Sequence, residues 1–260
     1  SSSKPAQEIK FIPYKPTVHE DTEISSEVVC EVMSELKKSF TGVAPNYDVE
    51  AERRKAKVRK LSEKVFVISD EISEEEKKEL IDNIIQNRDD RVNFLTALNQ
   101  QRINGKYEKS EKESLILKEI LSKIVDIVER EKDYESARNC IILSQTFYYV
   151  KDNSRIYLFE AIKNNNWFKS INFWENIMDY MIGVETIKNE ESNLDINQFE
   201  TEEERIRRIS NIAFSQILPY TNNMIEFGIP LDDVLNVLNK MCNDYNIEQC
   251  LRESIIENIK

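Results

Sequence analysis

The chain of 260 residues contains only four glycines, Gly42, Gly105, Gly183 and Gly228. Average usage would give about eighteen, and the two closest glycines are 45 positions apart. A dinucleotide-binding turn needs three closely spaced glycines, and a phosphate-binding loop needs two within one short loop. The sequence therefore excludes both nucleotide-binding motifs. It predicts long helices, each ending near one of the few glycines.

Histidine and cysteine usage restricts metal and nucleophile chemistry. His19 is the single imidazole, so every motif with paired histidines is excluded, and a Ser-His or Cys-His pair would have to recruit this residue. The four cysteines form no CxxC pair, whereas structural zinc sites use short paired spacings. We therefore predict no catalytic residue, no metal site and no cofactor. Such cysteine usage also favours a reduced setting, cytosolic or nuclear, and we predict a cytoplasmic location.

The overall charge argues against a nucleic-acid partner. The chain has 36 basic and 48 acidic residues, which give a formal net charge of −12. A nucleic-acid-binding protein normally presents a basic surface. No stretch approaches the roughly 18 consecutive apolar residues of a transmembrane helix, and the first residues lack the apolar core of a secretory signal. We predict a chain without a transmembrane segment.

Apolar residues recur with helical periodicity along most of the chain. Ser73 followed by Glu76 predicts a capping box at one helix start, and Pro219 is predicted to kink or divide another helix. No convincing strand is found. The helices predicted with bounds are 21–39, 48–69, 90–103, 111–131, 155–163, 167–182, 200–226 and 246–259.

These patterns predict an all-α fold of about ten or eleven helices. An irregular multi-helix bundle and a degenerate helical solenoid both remain open, because no repeat period is visible in residue identity. Residues 1–20 are expected to form a flexible tail. Residues 21–260 are expected to form one helical domain, with a polar insertion at about 185–200.

A dense basic cluster lies within residues 53–60, which contain six cations. On a helix, Arg53, Lys57 and Lys60 share a face beside an apolar stripe. Such a face is typical of docking to an acidic partner or to an anionic membrane surface, and the alternative is a solvated face paired with carboxylates. The candidate partner-binding residues here are Arg53, Arg54, Lys57 and Lys60.

Aromatic residues concentrate in residues 147–180, which hold ten aromatic side chains and both tryptophans. Trp167, Ile171 and Trp174 have the spacing of a helical packing stripe. The stripe predicts either core or a hydrophobic groove that holds a partner helix or a lipid chain. Trp167 and Trp174 are therefore two further candidate partner-binding residues.

Runs of carboxylates, such as Asp89–Asp90 and residues 202–204, are common in this chain. Since 32% of the residues are charged, we interpret these runs as solvated surface rather than as acid/base pairs.

Four blocks in combination resemble the helical domain shared by the set-binding-factor proteins, which are myotubularin-related pseudophosphatases, and by related uncharacterised cytoplasmic proteins. The blocks are Phe94–Arg102, Asp133–Tyr149, Trp167–Met178 and Asn211–Ile229. In the set-binding-factor proteins this domain accompanies an exchange module for Rab-type GTPases, a lipid-binding module and an inactive phosphatase domain. The resemblance implies an adaptor segment and supplies no catalytic residue.

The leading interpretation is a non-enzymatic protein-interaction or adaptor domain in membrane-traffic or small-GTPase signalling. The expected partner is a protein, with a small GTPase or its regulator as candidates, and peripheral membrane contact is a further option. Two alternatives remain open. One is a GAP- or GEF-like regulator of a small GTPase, and the other is a carrier that shields a lipid chain in an apolar helical cavity.

Overall fold

The computed structural model describes residues 49–67, 72–192 and 200–259. The chain divides into two compact units, Ser1–Val49 and Glu50–Lys260.

Several sequence predictions lie outside the described residues. They are the tail at 1–20, the helix at 21–39 and His19. Residues 185–192 of the predicted polar insertion belong to a helix, whereas 193–199 lie outside the description.

The all-α fold class is confirmed. The described residues form nine helices, a short hairpin and two 3-10 turns, Leu158–Ala161 and Asn166–Lys169. The helices are α1 (Val49–Val67), α2 (Glu74–Gln86), α3 (Arg88–Ile103), α4 (Glu111–Glu131), α5 (Tyr134–Thr146), α6 (Ile171–Ser192), α7 (Glu202–Glu226), α8 (Leu231–Asp244) and α9 (Gln249–Ile259). The strands of the hairpin are β1 (Tyr148–Lys151) and β2 (Ser154–Tyr157).

Side-chain caps set several helix starts. The predicted capping box is present at α2, where Ser73 Oγ accepts a hydrogen bond from the Glu76 amide at 3.1 Å and Glu76 accepts one from the Ser73 amide at 3.2 Å. Thr201 and Glu204 form a second capping box at α7. Each box satisfies backbone N–H groups that the first helical turn leaves without partners.

The core is centred on α4, whose apolar stripe is fully buried. Leu117, Leu121 and Val125 are each 0% exposed. Around α4 pack α2, α5, β1 and the first 3-10 turn. Beyond α5, α6 packs on α7, and α8 and α9 complete the helical layer around α7. One hydrophobic cluster connects these elements, from Val58 on α1 to Ile255 on α9.

The helix predicted over 155–163 is wrong, and so is the absence of strands. Asp152 and Asn153 both adopt left-handed backbone conformations, with φ of 50° and 61°. Two such residues form the tight turn that matches the twist of antiparallel strands. The chain therefore reverses into β2, and Tyr148, predicted on the preceding helix, begins β1 instead.

The helix end predicted at Gly183 is also wrong. α6 continues through this glycine to Ser192, and its buried residues Met181 and Ile182 hold the middle of the helix against the core. Gly105 and Gly228 do follow helix ends, with φ of 74° and 80°. Pro219 lies inside α7 and does not divide it.

Candidate functional site

The cations of α1 flank a buried apolar stripe. Val58, Leu61 and Val65 are at most 4% exposed and attach the helix to the core. Helical geometry places two groups of cations on opposite sides of this stripe. Those on the first side are Arg53, Lys57, Lys60 and Lys64, and those on the second side are Lys55 and Arg59.

Two cations on the first side are neutralised by α2. Lys64 Nζ lies 2.6 Å from Glu76 Oε1, and Lys57 pairs with Glu79. The hydrogen bond from Lys64 is the main reason why the pKa of Glu76 lies below its ordinary value. These pairs are partly exposed, so each contributes little to stability.

Three exposed cations of α1 have no ion pair with any residue in the described ranges: Arg53, Lys60 and Arg59. Arg53 and Lys60 lie on the first side, beside the pairs with α2, and Arg59 lies on the second. The free positive charge of α1 therefore faces solvent on both sides of the buried stripe.

Arg54 has a different role from its neighbours. Its Nε donates to Asp90 Oδ2 at 2.7 Å, and the side chain of Asp90 is 0% exposed. Asp90 lies in the first turn of α3, where the helix dipole stabilises a negative charge. The interpretation of Asp89–Asp90 as solvated surface is thus wrong for Asp90, because tertiary packing closes over it.

Two further ion pairs join the surrounding helices. The side chain of Arg91 is 0% exposed, pairs with Glu131 at the end of α4 and donates to the carbonyl of Ile84 at 3.3 Å. Arg88 Nε lies 3.2 Å from Asp133 Oδ2, and this interaction is the largest cause of the raised pKa of Arg88.

Asp133 also caps α5 by accepting a hydrogen bond from the Ser136 amide at 3.1 Å. Together with the pair of Arg54 and Asp90, these contacts tie α1 to α5. Sequence reasoning missed this network. The one local sign of this network in the sequence is the mixed charge of Arg88–Arg91, directly after α2.

A groove lies between α1 and α3, with a volume of about 420 Å³. We call it the α1–α3 groove. Its apolar lining includes the rings of Phe66 and Phe94, whose centroids are 5.5 Å apart. Its polar lining includes the cations Lys55 and Arg59, the carboxylate of Glu63 and the amide of Gln101. Lys55 also pairs with Glu52 on its own helix.

The lining defines the chemistry that the α1–α3 groove accommodates. Its volume lies within the usual range for binding sites, roughly 300–1,000 Å³. The buried Gln101 Oε1 has no hydrogen-bond partner in the described part of the chain. Apolar side chains fit the rings, and carboxylates fit the cations. The groove therefore suits an apolar segment flanked by acidic residues.

Both candidate tryptophans are core residues. Trp174 is 0% exposed and donates from Nε1 to the carbonyl of Phe168 at 3.0 Å, and Trp167 is 6% exposed. Trp167 belongs to a 3-10 turn and Trp174 to α6, so the prediction of a single helical stripe is wrong. Neither ring offers a partner-binding surface in this conformation, although their role in binding stays a prediction.

Within the described residues, no group of three or more His, Cys, Asp or Glu side chains is arranged to hold a metal ion. Burial raises the pKa of the Cys140 thiol, which keeps it protonated and unreactive. Among the described helices, none has both the length and the apolar composition needed to cross a bilayer.

These observations define the class of the protein as an all-α multi-helix domain with a cationic helix beside an apolar groove. The chain matches no protein-family model, and comparisons with curated proteins and with solved structures gave no match. The resemblance to the set-binding-factor helical domain therefore stays a prediction.

Proposed function

We propose that this chain is a non-enzymatic protein-interaction domain that binds an acidic protein segment through the α1–α3 groove. The observation that supports it is Arg59, a cation without an ion pair in the described ranges, beside Lys55 on the rim of an apolar groove, in a chain with a net charge of −12. Since most of the surface repels acidic partners, this cationic region directs them to one place.

The narrower assignment rests on the resemblance of the four sequence blocks. It makes the domain an adaptor in membrane-traffic or small-GTPase signalling in the cytoplasm, with a small GTPase or its regulator as the partner. A GTPase surface that carries acidic residues beside apolar ones has the required chemistry.

The experiment compares four purified proteins as baits in cell extract, with captured proteins quantified by mass spectrometry. Ala97→Trp fills the α1–α3 groove, and Arg59→Glu reverses a free cation on its rim. Arg207→Glu is the matched control, because Arg207 is an exposed helical arginine on α7. Arg54 is left unchanged because it holds buried Asp90.

The proposal expects a stoichiometric protein partner that binds the wild-type chain and Arg207→Glu. The same partner should be lost with Ala97→Trp and Arg59→Glu while all four proteins keep the same thermal unfolding temperature. Equal capture by all four proteins would contradict the proposed site. Absence of any stoichiometric partner, together with turnover of a metabolite, would contradict the proposed function.

Three further assays separate the alternatives. A regulator would change nucleotide release or hydrolysis across a panel of small GTPases, whereas an adaptor leaves both rates unchanged. Sedimentation with anionic vesicles tests direct membrane binding by α1. Native mass spectrometry tests for a bound lipid, whose chain would have to separate rings that are in contact, such as Trp167 and Phe173 at 4.5 Å.

A further inference from the structure

The hydrogen bonds of the hairpin show which residues of each strand face the partner strand. Leu158 donates its amide to the carbonyl of Phe147 at 3.0 Å, just beyond the paired strands. Because hydrogen-bonded pairs alternate along an antiparallel ladder, the register makes Tyr149 and Ile156 the next such pair. The backbone groups of Tyr157 and Arg155 therefore point away from β1.

The outer edge of β1 is already occupied. Tyr148 donates its amide to the carbonyl of Tyr107 at 3.2 Å and accepts a hydrogen bond from the amide of Lys109 at 2.9 Å. Glu108 thereby pairs with Tyr148 in the parallel sense. The segment before α4 thus acts as a short third strand on this side.

The outer edge of β2 is open. The outward amide and carbonyl of Arg155 and the outward amide of Tyr157 have no backbone partner among the residues that the structure describes. The carbonyl of Tyr157, as the N-cap of the first 3-10 turn, is used by that turn. An exposed edge of this kind is a template for pairing with another extended chain.

A groove runs beside the open edge, with a volume of about 810 Å³. We call it the β2 groove. Ile156 and Phe159 contribute apolar surface, and Gln145 and Glu226 contribute polar groups from the ends of α5 and α7. Arg155 and Glu160 add one charge of each sign, and the Arg155 guanidinium lies over the Tyr148 ring, 4.7 Å from its centroid. It is distinct from the α1–α3 groove, with which it shares no lining residue.

Glu226 gives the β2 groove a charge preference. It lies in the last turn of α7, which contains no basic residue, and a negative charge is unfavourable at this end of a helix. Gln145 Nε2 donates to its carboxylate at 2.6 Å, but within the described ranges no cation pairs with it. Lys169 reaches the carbonyl of Phe227 instead.

We propose that β2 and the β2 groove bind an extended peptide segment of a partner protein by strand addition. The segment pairs with the amide and carbonyl of Arg155 and with the amide of Tyr157, and it carries a lysine or arginine that reaches Glu226. This site is independent of the one proposed at the α1–α3 groove, so either can fail alone.

The backbone of Tyr157 allows a specific test of strand addition. Its φ of −77° already suits proline, so Tyr157→Pro removes the outward amide without opposing the fold. Tyr157→Ala is the matched control, because it also loses the ring but keeps the amide. Glu226→Gln removes the charge and keeps an acceptor for Gln145.

The probe is a phage-displayed library of unstructured dodecapeptides, selected on the full chain and remade as labelled peptides. We expect selected peptides to contain a lysine or arginine. They should bind Tyr157→Pro about tenfold more weakly than Tyr157→Ala, as the loss of one hydrogen bond implies. Glu226→Gln should weaken them about twofold to fivefold at low salt, and Ala97→Trp should have no effect.

N-methylation of single peptide amides supplies a readout that does not depend on how the variants fold. Strand addition predicts loss of binding at every second residue, because only alternate amides face β2. Lack of enrichment, equal binding to the two Tyr157 variants, or no alternation would overturn the proposal. A concentration-dependent dimer that Tyr157→Pro abolishes would also overturn it, because the edge would then pair with a second copy.

Discussion

Replacing Arg54 by alanine removes the only cation that pairs with buried Asp90 in the described structure. The carboxylate is 0% exposed and receives its one hydrogen bond from Arg54, while its other oxygen has no partner in that part of the chain. Removing one partner of a fully buried pair costs about 3–5 kcal/mol. Arg54 itself is 31% exposed, so water partly replaces the guanidinium, and we expect a loss of about 2 kcal/mol.

Chemical and thermal unfolding followed by circular dichroism measures this loss. A loss of about 2 kcal/mol corresponds to a fall in the unfolding temperature of about 4–8 °C for a domain of this size. Arg53→Ala is the matched control, because Arg53 is an exposed neighbour without an ion pair in the described ranges. Its effect should stay within about 0.5 kcal/mol of the wild type.

A double-mutant cycle with Asp90→Asn then isolates the pair. Since asparagine carries no charge, the second substitution should cost less in the Arg54→Ala background than in the wild type. If Arg54→Ala and Arg53→Ala had the same effect, the buried pair would not stabilise the fold. The predicted result also means that reversing Arg54 in a binding assay would perturb folding and binding together.

Three other perturbations have defined outcomes. Trp174→Ala should lower the free energy of unfolding by about 3–5 kcal/mol, because it empties a fully buried aromatic site; denaturant titration checks this. Glu76→Gln should make stability depend less on pH in the acid range. The lowered pKa of Glu76 means that its carboxylate stabilises the fold at pH values above the ordinary pKa of 4.5, and this stabilisation is lost as the pH falls through the lowered pKa. Melting temperatures between neutral and acidic pH measure the difference. A thiol reagent should modify exposed Cys250 before buried Cys140, as peptide mapping would show.

The helical part of the fold could be predicted because its signals are local. The apolar stripe of α4 predicts a helix over 111–131, the range observed. Ser73 and Glu76 likewise define the start of α2. Such signals depend on residues one to two turns apart, so one sequence contains them completely.

The hairpin and Gly183 show where local signals mislead. Residues 155–163 are predicted as a helix, but Asp152 and Asn153 both adopt positive φ and reverse the chain just before them. Gly183 weakens a helix by about 1 kcal/mol, which is less than the stabilisation from burying Met181 and Ile182 beside it.

The candidate site was only partly predictable. Helical periodicity alone is enough to place Arg53, Lys57 and Lys60 on one face of α1. That Lys57 is neutralised depends on α2, and that Arg54 pairs with buried Asp90 depends on α3. The α1–α3 groove depends on how two helices pack, which periodicity does not report.

The affinity of the captured partner for the wild-type chain, Ala97→Trp and Arg207→Glu, measured across a range of salt concentrations, is decisive for the proposed function. We expect Ala97→Trp to abolish binding and Arg207→Glu to leave it unchanged. Salt should weaken binding because Arg59 on the rim of the groove contributes. Binding that is insensitive to salt and unchanged by Ala97→Trp would contradict the assignment of the α1–α3 groove as the partner site.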